Sequence, residues 1–267
     1  MNSVSTRPVG VFDSGIGGLS VLQALRAELP HQSFVYVADS GHAPYGEREP
    51  GHVIDRSQAI TRYLIQAHDI QGLVVACNTA TAAAISLLRQ QHPELPIVGV
   101  EPALKPAALA SHTHRVGVLA TRGTLDSAKF QALLESLHGQ ADFVLQACDG
   151  LADAIERQDS ERIASLGRRY LQALGPCGRD AGKIDTVVLG CTHYPLVADT
   201  LQSLLGPQVE LVASGLPVAR QTRRVLPHVA DTGHATLRCL TTGSADQLQT
   251  AVQRWLQPLG GVETVRI

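Results

Sequence analysis

Two cysteines carry the most readable chemistry in this chain. Cys77 ends the apolar run "GLVVACNTATAA", and Cys191 ends "TVVLGCTHYPL". Each is followed by small polar residues, Asn78 and Thr79 after the first, Thr192 and His193 after the second. A free thiol has a pKa near 8.5, within tuning range of neutrality, so a cysteine can carry a proton as well as attack a carbon. Taken singly, a buried strand-end cysteine is more often packing than chemistry. The repeated tip changes that balance. Hydroxyls, an amide and the free N–H groups at a helix start suit a carboxylate ligand. His193 stands two residues from Cys191 and can lower its pKa or shuttle its proton. Asp13, closing "VGVFD", can play the corresponding part for Cys77. Two thiols facing each other would take a proton from one face of a carbon stereocentre and return one to the other. That inverts the centre with no cofactor. Two acyl-transfer nucleophiles would be redundant, and a redox pair would need sulfur–sulfur contact.

The elements that must position these tips are short apolar strands alternating with helical segments. The strands read as "PVGVFDSG", "SFVYVADS", "GLVVACNT", "LPIVGVEP", "RVGVLATRG", "DFVLQACDG", "TVVLGCTHY", "VELVASG" and "TLRCLTTG", with helices expected over 17–29, 51–67 and 80–91. Continuous apolar strands separated by helices imply parallel sheets covered on both faces, hence an α/β fold. "VGVFDSGIGG" echoes "VGVLATRGTLD", and "GLVVACNTA" echoes "TVVLGCTHY". The echo predicts two related α/β domains with a cleft between them. Ligands in such sheets sit beyond the carboxyl ends of the strands, where Asp13, Asp39, Cys77, Glu101, Thr121, Cys148 and Cys191 fall.

Other motifs leave alternatives open. In "FDSGIGGLS", Gly15, Gly17 and Gly18 follow a strand and open a helix, where backbone N–H groups can hold an anion. This nearly spells a dinucleotide fingerprint, and Asp39 lies where a ribose-binding acid would be expected. Against that, position 20 is Ser, and Asp13 puts a carboxylate where a pyrophosphate would come. A plain glycine turn for close strand–helix packing is the remaining reading. Tyr45, between Pro44 and Gly46, sits in a loop that could close over a small ligand. Cys191 with His193, and His112 with His114, lack the further partners a zinc site needs, so no metal is expected.

Composition narrows the class. The chain has 267 residues, 44% hydrophobic and 17% charged, with a formal net charge of −2. Scattered basic residues leave no footprint for nucleic acid or an anionic membrane. No apolar run reaches the roughly 18 residues of a membrane span, and the first residues show no signal-peptide core. Five cysteines, an odd number, argue against a disulfide framework. The expected location is the cytoplasm.

At these residues the chain resembles the glutamate racemase family of the aspartate/glutamate racemase superfamily. The resemblance runs through "VFDSGIGGLSVL", "PYG", "ACNTATA", "VEPALKPA", "ATRGTLDS", "LGCTHYPL" and "LTTG", over essentially the whole chain. It implies cofactor-independent interconversion of L- and D-glutamate, supply of D-glutamate for peptidoglycan, and a homodimer of two-domain, pseudo-twofold chains. It implies domains of 1–98 plus 208–267 and of 99–207. It further implies that Cys77 takes the α-proton of D-glutamate with help from Asp13, and that Cys191 serves L-glutamate with help from His193. Ser14, Pro44, Tyr45 and Gly46 would hold the side-chain carboxylate. Asn78, Thr79, Thr121, Thr124 and Thr192 would hold the α-carboxylate and amino group. Asp39 and Glu156 match supporting acids. Departures from the family pattern are Ala38, Ser40, Gly41 and His42 before Tyr45, Asp149 where Pro is usual, and Ala213 where an acid is usual. Aspartate racemisation, a non-enzymatic amino-acid binder and a nucleotide-dependent enzyme are the competing readings.

Overall fold

A computed structural model describes residues 7–226, 235–256 and 261–267. Its strands are β1 (Val9–Asp13), β2 (Phe34–Ala38), β3 (Gly72–Val75), β4 (Ile97–Gly99), β5 (Arg115–Ala120), β6 (Asp142–Ala147), β7 (Thr186–Gly190), β8 (Glu210–Ala213), β9 (Leu237–Thr241) and β10 (Val262–Thr264). Nine of them fall on the nine apolar runs. The tenth, the short β10, has two exposed residues of three and no apolar run to announce it.

The strands form two sheets, ordered β10-β9-β2-β1-β3-β4 and β6-β5-β7-β8. Every pairing in both is parallel. The order β2-β1-β3-β4 returns as β6-β5-β7-β8, four strands later. The internal echo of the sequence is therefore a repeat of topology, and it places Cys77 and Cys191 after equivalent strands, β3 and β7. Strands β1, β2, β3 and β7 are buried along their whole length. That is what sheets covered on both faces require of central strands. Helices Leu19–Glu28, Pro50–His68 and Asn78–Gln91 match the three expected, to within two residues at each end.

The domain boundary at 207/208 needs correction. Strand β8 pairs with β7 from Thr186↔Glu210 to Leu189↔Ala213, so the chain leaves the second sheet only after Ala213. The boundary at 98/99 likewise cuts β4, which ends at Gly99. Strand β8 has an edge strand's mixture of exposed and half-buried positions, and its composition suits either sheet. The two crossings between the sheets are tied together, with Ser214 Oγ donating to the Glu101 carbonyl at 2.6 Å. No helix among the described residues is long and apolar enough to cross a membrane.

One carboxylate fixes the base of the second sheet. Asp185, 4% exposed, accepts from Ser111 Oγ (2.6 Å), the His112 amide (2.7 Å), the Thr113 amide (3.1 Å) and Thr186 Oγ1 (3.1 Å). It joins the turn before β5 to the start of β7. Asp185→Ala would leave two amides without partners, and unfolding free energy is expected to drop by about 2–3 kcal/mol. The denaturation midpoint in urea reads this; an unchanged midpoint would show that the carboxylate contributes nothing net.

Candidate active site

The carboxyl ends of the two sheets face each other, and the residues singled out by sequence gather between them. Cys77 and Cys191 are 5% and 6% exposed. Asp13, Ser14, Tyr45, Asn78, Thr79, Thr121, Thr124, Thr192 and His193 are buried with them. Pro44 precedes the one-turn 3₁₀ helix Tyr45–Glu47, which also contains Gly46.

The glycine loop does hold an anion, and that anion is the protein's own. The Asp13 carboxylate accepts from the Ser14 amide at 2.7 Å and from the Gly18 amide, with Ser14 Oγ at 3.3 Å. Thr192 Oγ1, from the second sheet's side, reaches it at 3.4 Å. The amides a pyrophosphate would need are thus occupied, which removes the basis of the dinucleotide reading. Gly15 and Gly17 have a different role. A Cβ on Gly15 would run into the Glu156 carboxylate, and one on Gly17 into the His193 ring. Two missing side chains let the acid–base groups of the second unit press against the first.

Each cysteine stands just before a helical segment, with a partner of its own. Cys77 caps the helix Asn78–Gln91, where the Ala80 amide donates to Sγ at 3.5 Å. Its thiol lies 3.9 Å from Ser14 Oγ. Burial and the Asp13 charge push the Cys77 thiol well above its usual pKa. Burial also pushes Asp13 up, against the pull of the His193 charge. At neutral pH Cys77 therefore rests as a thiol, beside a carboxylate more basic than usual.

Cys191 Sγ lies 3.8 Å from His193 Nδ1, and His193 Nε2 lies 2.8 Å from Glu156 Oε2. Burial alone would lower the His193 pKa. The hydrogen bonds to Cys191 and Glu156 on its two ring nitrogens outweigh it, and the imidazole titrates well above the ordinary histidine value. Glu156 in turn accepts from the Ile16 amide at 2.9 Å and from Ser40 Oγ at 2.8 Å. Burial opposes its ionisation, but these donors and His193 keep it below the usual carboxylate range. Ser40, one of the departures in sequence, is thereby a working contact.

The hydroxyl side of the site also bridges the units. Thr79 Oγ1 is 3.0 Å from Thr121 Oγ1, which is 2.9 Å from Thr124 Oγ1. Asn78 Nδ2 reaches the Val100 carbonyl at 3.4 Å. Glu47 accepts from the Gly150 amide at 2.9 Å, a contact with no sequence signal.

Asp39 is held by a network of its own. It is fully buried and accepts from Arg56 Nε (2.9 Å), Arg56 Nη2 (2.8 Å), Thr242 Oγ1 (2.7 Å) and the Tyr45 hydroxyl, with His42 Nδ1 at 3.1 Å. Burial is opposed by Arg56 and Tyr45, which hold its carboxyl below the usual range. Arg56 and Thr242 carry no motif and lie 17 and 203 positions from Asp39, which is why sequence reasoning passes over them. Of the remaining cysteines, Cys148 and Cys239 are buried and Cys177 is half-buried, all three as free thiols. Burial pushes Cys239 up to about 12. No group of three or more His, Cys, Asp or Glu among the described residues is arranged to hold a metal.

Comparison with known proteins defines the class. The chain matches the family model for Asp/Glu/hydantoin racemases over residues 19–222. A glutamate racemase of Stutzerimonas stutzeri is 45% identical over 247 residues, covering 90% of each chain. One of Ralstonia pickettii is 44% identical over 257 residues, covering 94% of this chain and 89% of the relative. Among solved structures, a glutamate racemase isoform of Bacillus anthracis superposes with a TM-score of 0.85 at 30% identity, over 98% of both chains. The Escherichia coli glutamate racemase, solved with L-glutamate and the activator UDP-MurNAc-Ala, superposes with a TM-score of 0.82 at 31% identity, covering 97% of this chain and 98% of that one. The protein is an isomerase of the amino-acid racemase class. Within that class, the chain belongs to the Asp/Glu/hydantoin racemase family.

The geometry makes Glu156 a test of the site's electrostatics. A raised His193 pKa means the folded state holds that proton more tightly than the unfolded one. Its stabilising contribution is complete below the ordinary histidine pKa and is lost as pH rises through the folded value. Glu156→Gln keeps the shape and removes the charge. The fall in stability above the ordinary histidine pKa should then be smaller and end at lower pH, and turnover should drop about 10²-fold, the low end for a positioned proton-transfer group. Thermal unfolding across pH and a racemisation assay read the two effects. An unchanged stability profile would mean that the pair does not hold the His193 proton.

Proposed function

We propose that this chain interconverts L- and D-glutamate by two-thiol proton transfer at the α-carbon, without a cofactor, and so supplies D-glutamate for peptidoglycan. The observation that carries the reading is the pair of buried cysteines, each with its own proton partner, at the facing carboxyl ends of two repeated sheets. A thiol is a proton carrier that needs neither metal nor coenzyme. The substrate is argued from the relatives, which are glutamate racemases, one of them solved with L-glutamate bound.

The roles follow from the contacts. With D-glutamate, Cys77 first passes its proton toward Asp13, then takes the α-proton as a thiolate. Cys191 gives its proton to the opposite face of the planar carbanion, and His193 restores it. With L-glutamate the same steps run in reverse. Ser14, Tyr45 and Gly46 hold the side-chain carboxylate. The Tyr45 hydroxyl proton is already given to Asp39, so Tyr45 and Gly46 contribute through their backbone amides, which open a helical turn and have no partner within it. Asn78, Thr79, Thr121, Thr124 and Thr192 receive the α-carboxylate and amino group. The chain works in the cytoplasm as a homodimer of two-domain subunits, divided near residues 99–103 and 213–214 where it crosses between sheets.

A circular-dichroism assay without added cofactor, run side by side on both enantiomers of glutamate and aspartate, tests the reaction and the substrate. Cys77→Ala and Cys191→Ala should each abolish racemisation. Cys→Ser at either position should cost about 10²–10⁴-fold, because a hydroxyl is a far weaker acid than a thiol. Full activity in both alanine variants would sink the two-thiol assignment, and equal turnover of aspartate would sink the choice of substrate.

A further inference from the structure

We infer that Arg56 is a positioning residue for substrate binding, acting through Asp39 and Tyr45 on the loop that receives the substrate's side-chain carboxylate. This rests on the assignment of Tyr45 and Gly46 to that carboxylate.

Arg56 lies on the helix Pro50–His68, and its hydrogen bonds go to Asp39 and Ile267. Its side chain is 13% exposed and that of Asp39 is 0%. The guanidinium meets both carboxylate oxygens as a two-pronged fork, Nε to Oδ2 at 2.9 Å and Nη2 to Oδ1 at 2.8 Å. Its third nitrogen, Nη1, donates to the Ile267 carbonyl at 2.8 Å. A bidentate pair of this kind fixes orientation as well as distance.

What Arg56 fixes is the acceptor of the Tyr45 hydroxyl. That bond orients a ring that is 1% exposed, at the first residue of the Tyr45–Glu47 turn. The His52 ring meets the Tyr45 ring edge-on, with centroids 6.3 Å apart. The next residue, Gly46, lies so close to Thr121 that a Cβ would stand 2.7 Å from the Thr121 side chain. Thr121 bonds in turn to Thr79 at 3.0 Å. A continuous line of contacts thus runs from Arg56 through Asp39 and Tyr45 to the threonines between the sheets.

The alternative is that Arg56 only neutralises a buried charge. Removing one partner of a buried pair is costly whatever the pair does for function. The two roles separate in where the loss is felt. A purely structural role lowers stability and leaves KM alone. A positioning role misplaces the amides of Tyr45 and Gly46, which bind the substrate but do not move its proton, so it raises KM and changes kcat little.

The test compares Arg56→Ala, Arg56→Lys, Tyr45→Phe and the double variant Arg56→Ala/Tyr45→Phe, measuring kcat, KM for D- and L-glutamate, and thermal midpoint. Arg56→Ala should raise KM about tenfold with kcat within a few-fold of wild type. Arg56→Lys, which keeps the charge but not the fork, should fall between. In the Tyr45→Phe background, which lacks the hydroxyl, the Arg56→Ala change should add little further to KM. The inference is overturned if KM is unchanged while only the midpoint falls, or if the two KM effects multiply. Should Arg56→Ala not fold, Arg56→Lys carries the same cycle against Tyr45→Phe. If wild type itself does not racemise glutamate, the proposed function fails instead, which is a separate outcome.

Discussion

The Glu156 carboxylate is the contact on which the arrangement of the site depends. It accepts from Ile16 and Ser40 on one side and from His193 on the other, so a single charge joins the loops of both sheets. Two constraints make this possible. A carboxylate can accept several donors at once, and buried ones are tolerated only when they do. The glycine loop also has to leave room, which it does at Gly15 and Gly17. Had either position carried a side chain, His193 and Glu156 could not approach Asp13 and Cys77. The spacing of glycines that resembles a nucleotide motif is therefore a device for bringing two protein surfaces together.

This explains what was legible in the sequence. The cysteine tips were visible because each follows an apolar run that can only be a central strand, and a strand's end fixes where its next residue points. Nine strands and the parallel class follow from the same pattern. The partners of the supporting acids were not visible. Arg56 and Thr242 meet Asp39 from a helix and from the end of β9, and no local spacing encodes that meeting. The anion held by the glycine loop was also hidden. Asp13 looked like an obstacle to a phosphate, whereas it is itself the ligand of the loop's amides. The placement of β8 failed for a physical reason too: an edge strand is half exposed on either sheet, and its sequence does not say which neighbour it joins.

Neutralisation within the protein accounts for the site's polarity. The three acids of the site are each matched differently: Asp13 by backbone amides and the His193 charge, Asp39 by a guanidinium, and Glu156 by an imidazole held well above its usual pKa. Only the first is pushed upward in pKa, because its burial outweighs the His193 charge and the hydrogen bonds it accepts. The acid with the weakest compensation is the one beside Cys77. That difference, set by ordinary solvation, separates a group able to exchange a proton from two that stay ionised and hold other residues in place.

The repeat is symmetric in backbone and not in chemistry. Thr79 and His193 follow Cys77 and Cys191 at the same spacing, while Asp13 and Thr121 fall at the ends of the corresponding strands β1 and β5. Repetition therefore sets Asp13 with His193 on one side of the site and Thr121 with Thr79 on the other. The first pair attract as charges, and the second share a hydrogen bond of 3.0 Å. Two copies of one unit have become an acid–base side and a hydroxyl side. Under the proposed reaction the enantiomers have equal free energies, so kcat/KM must be the same in both directions at every pH. The unequal partners of the two thiols cannot alter that ratio. They can act only on the bound states, so any difference between the directions is confined to kcat and KM changing together.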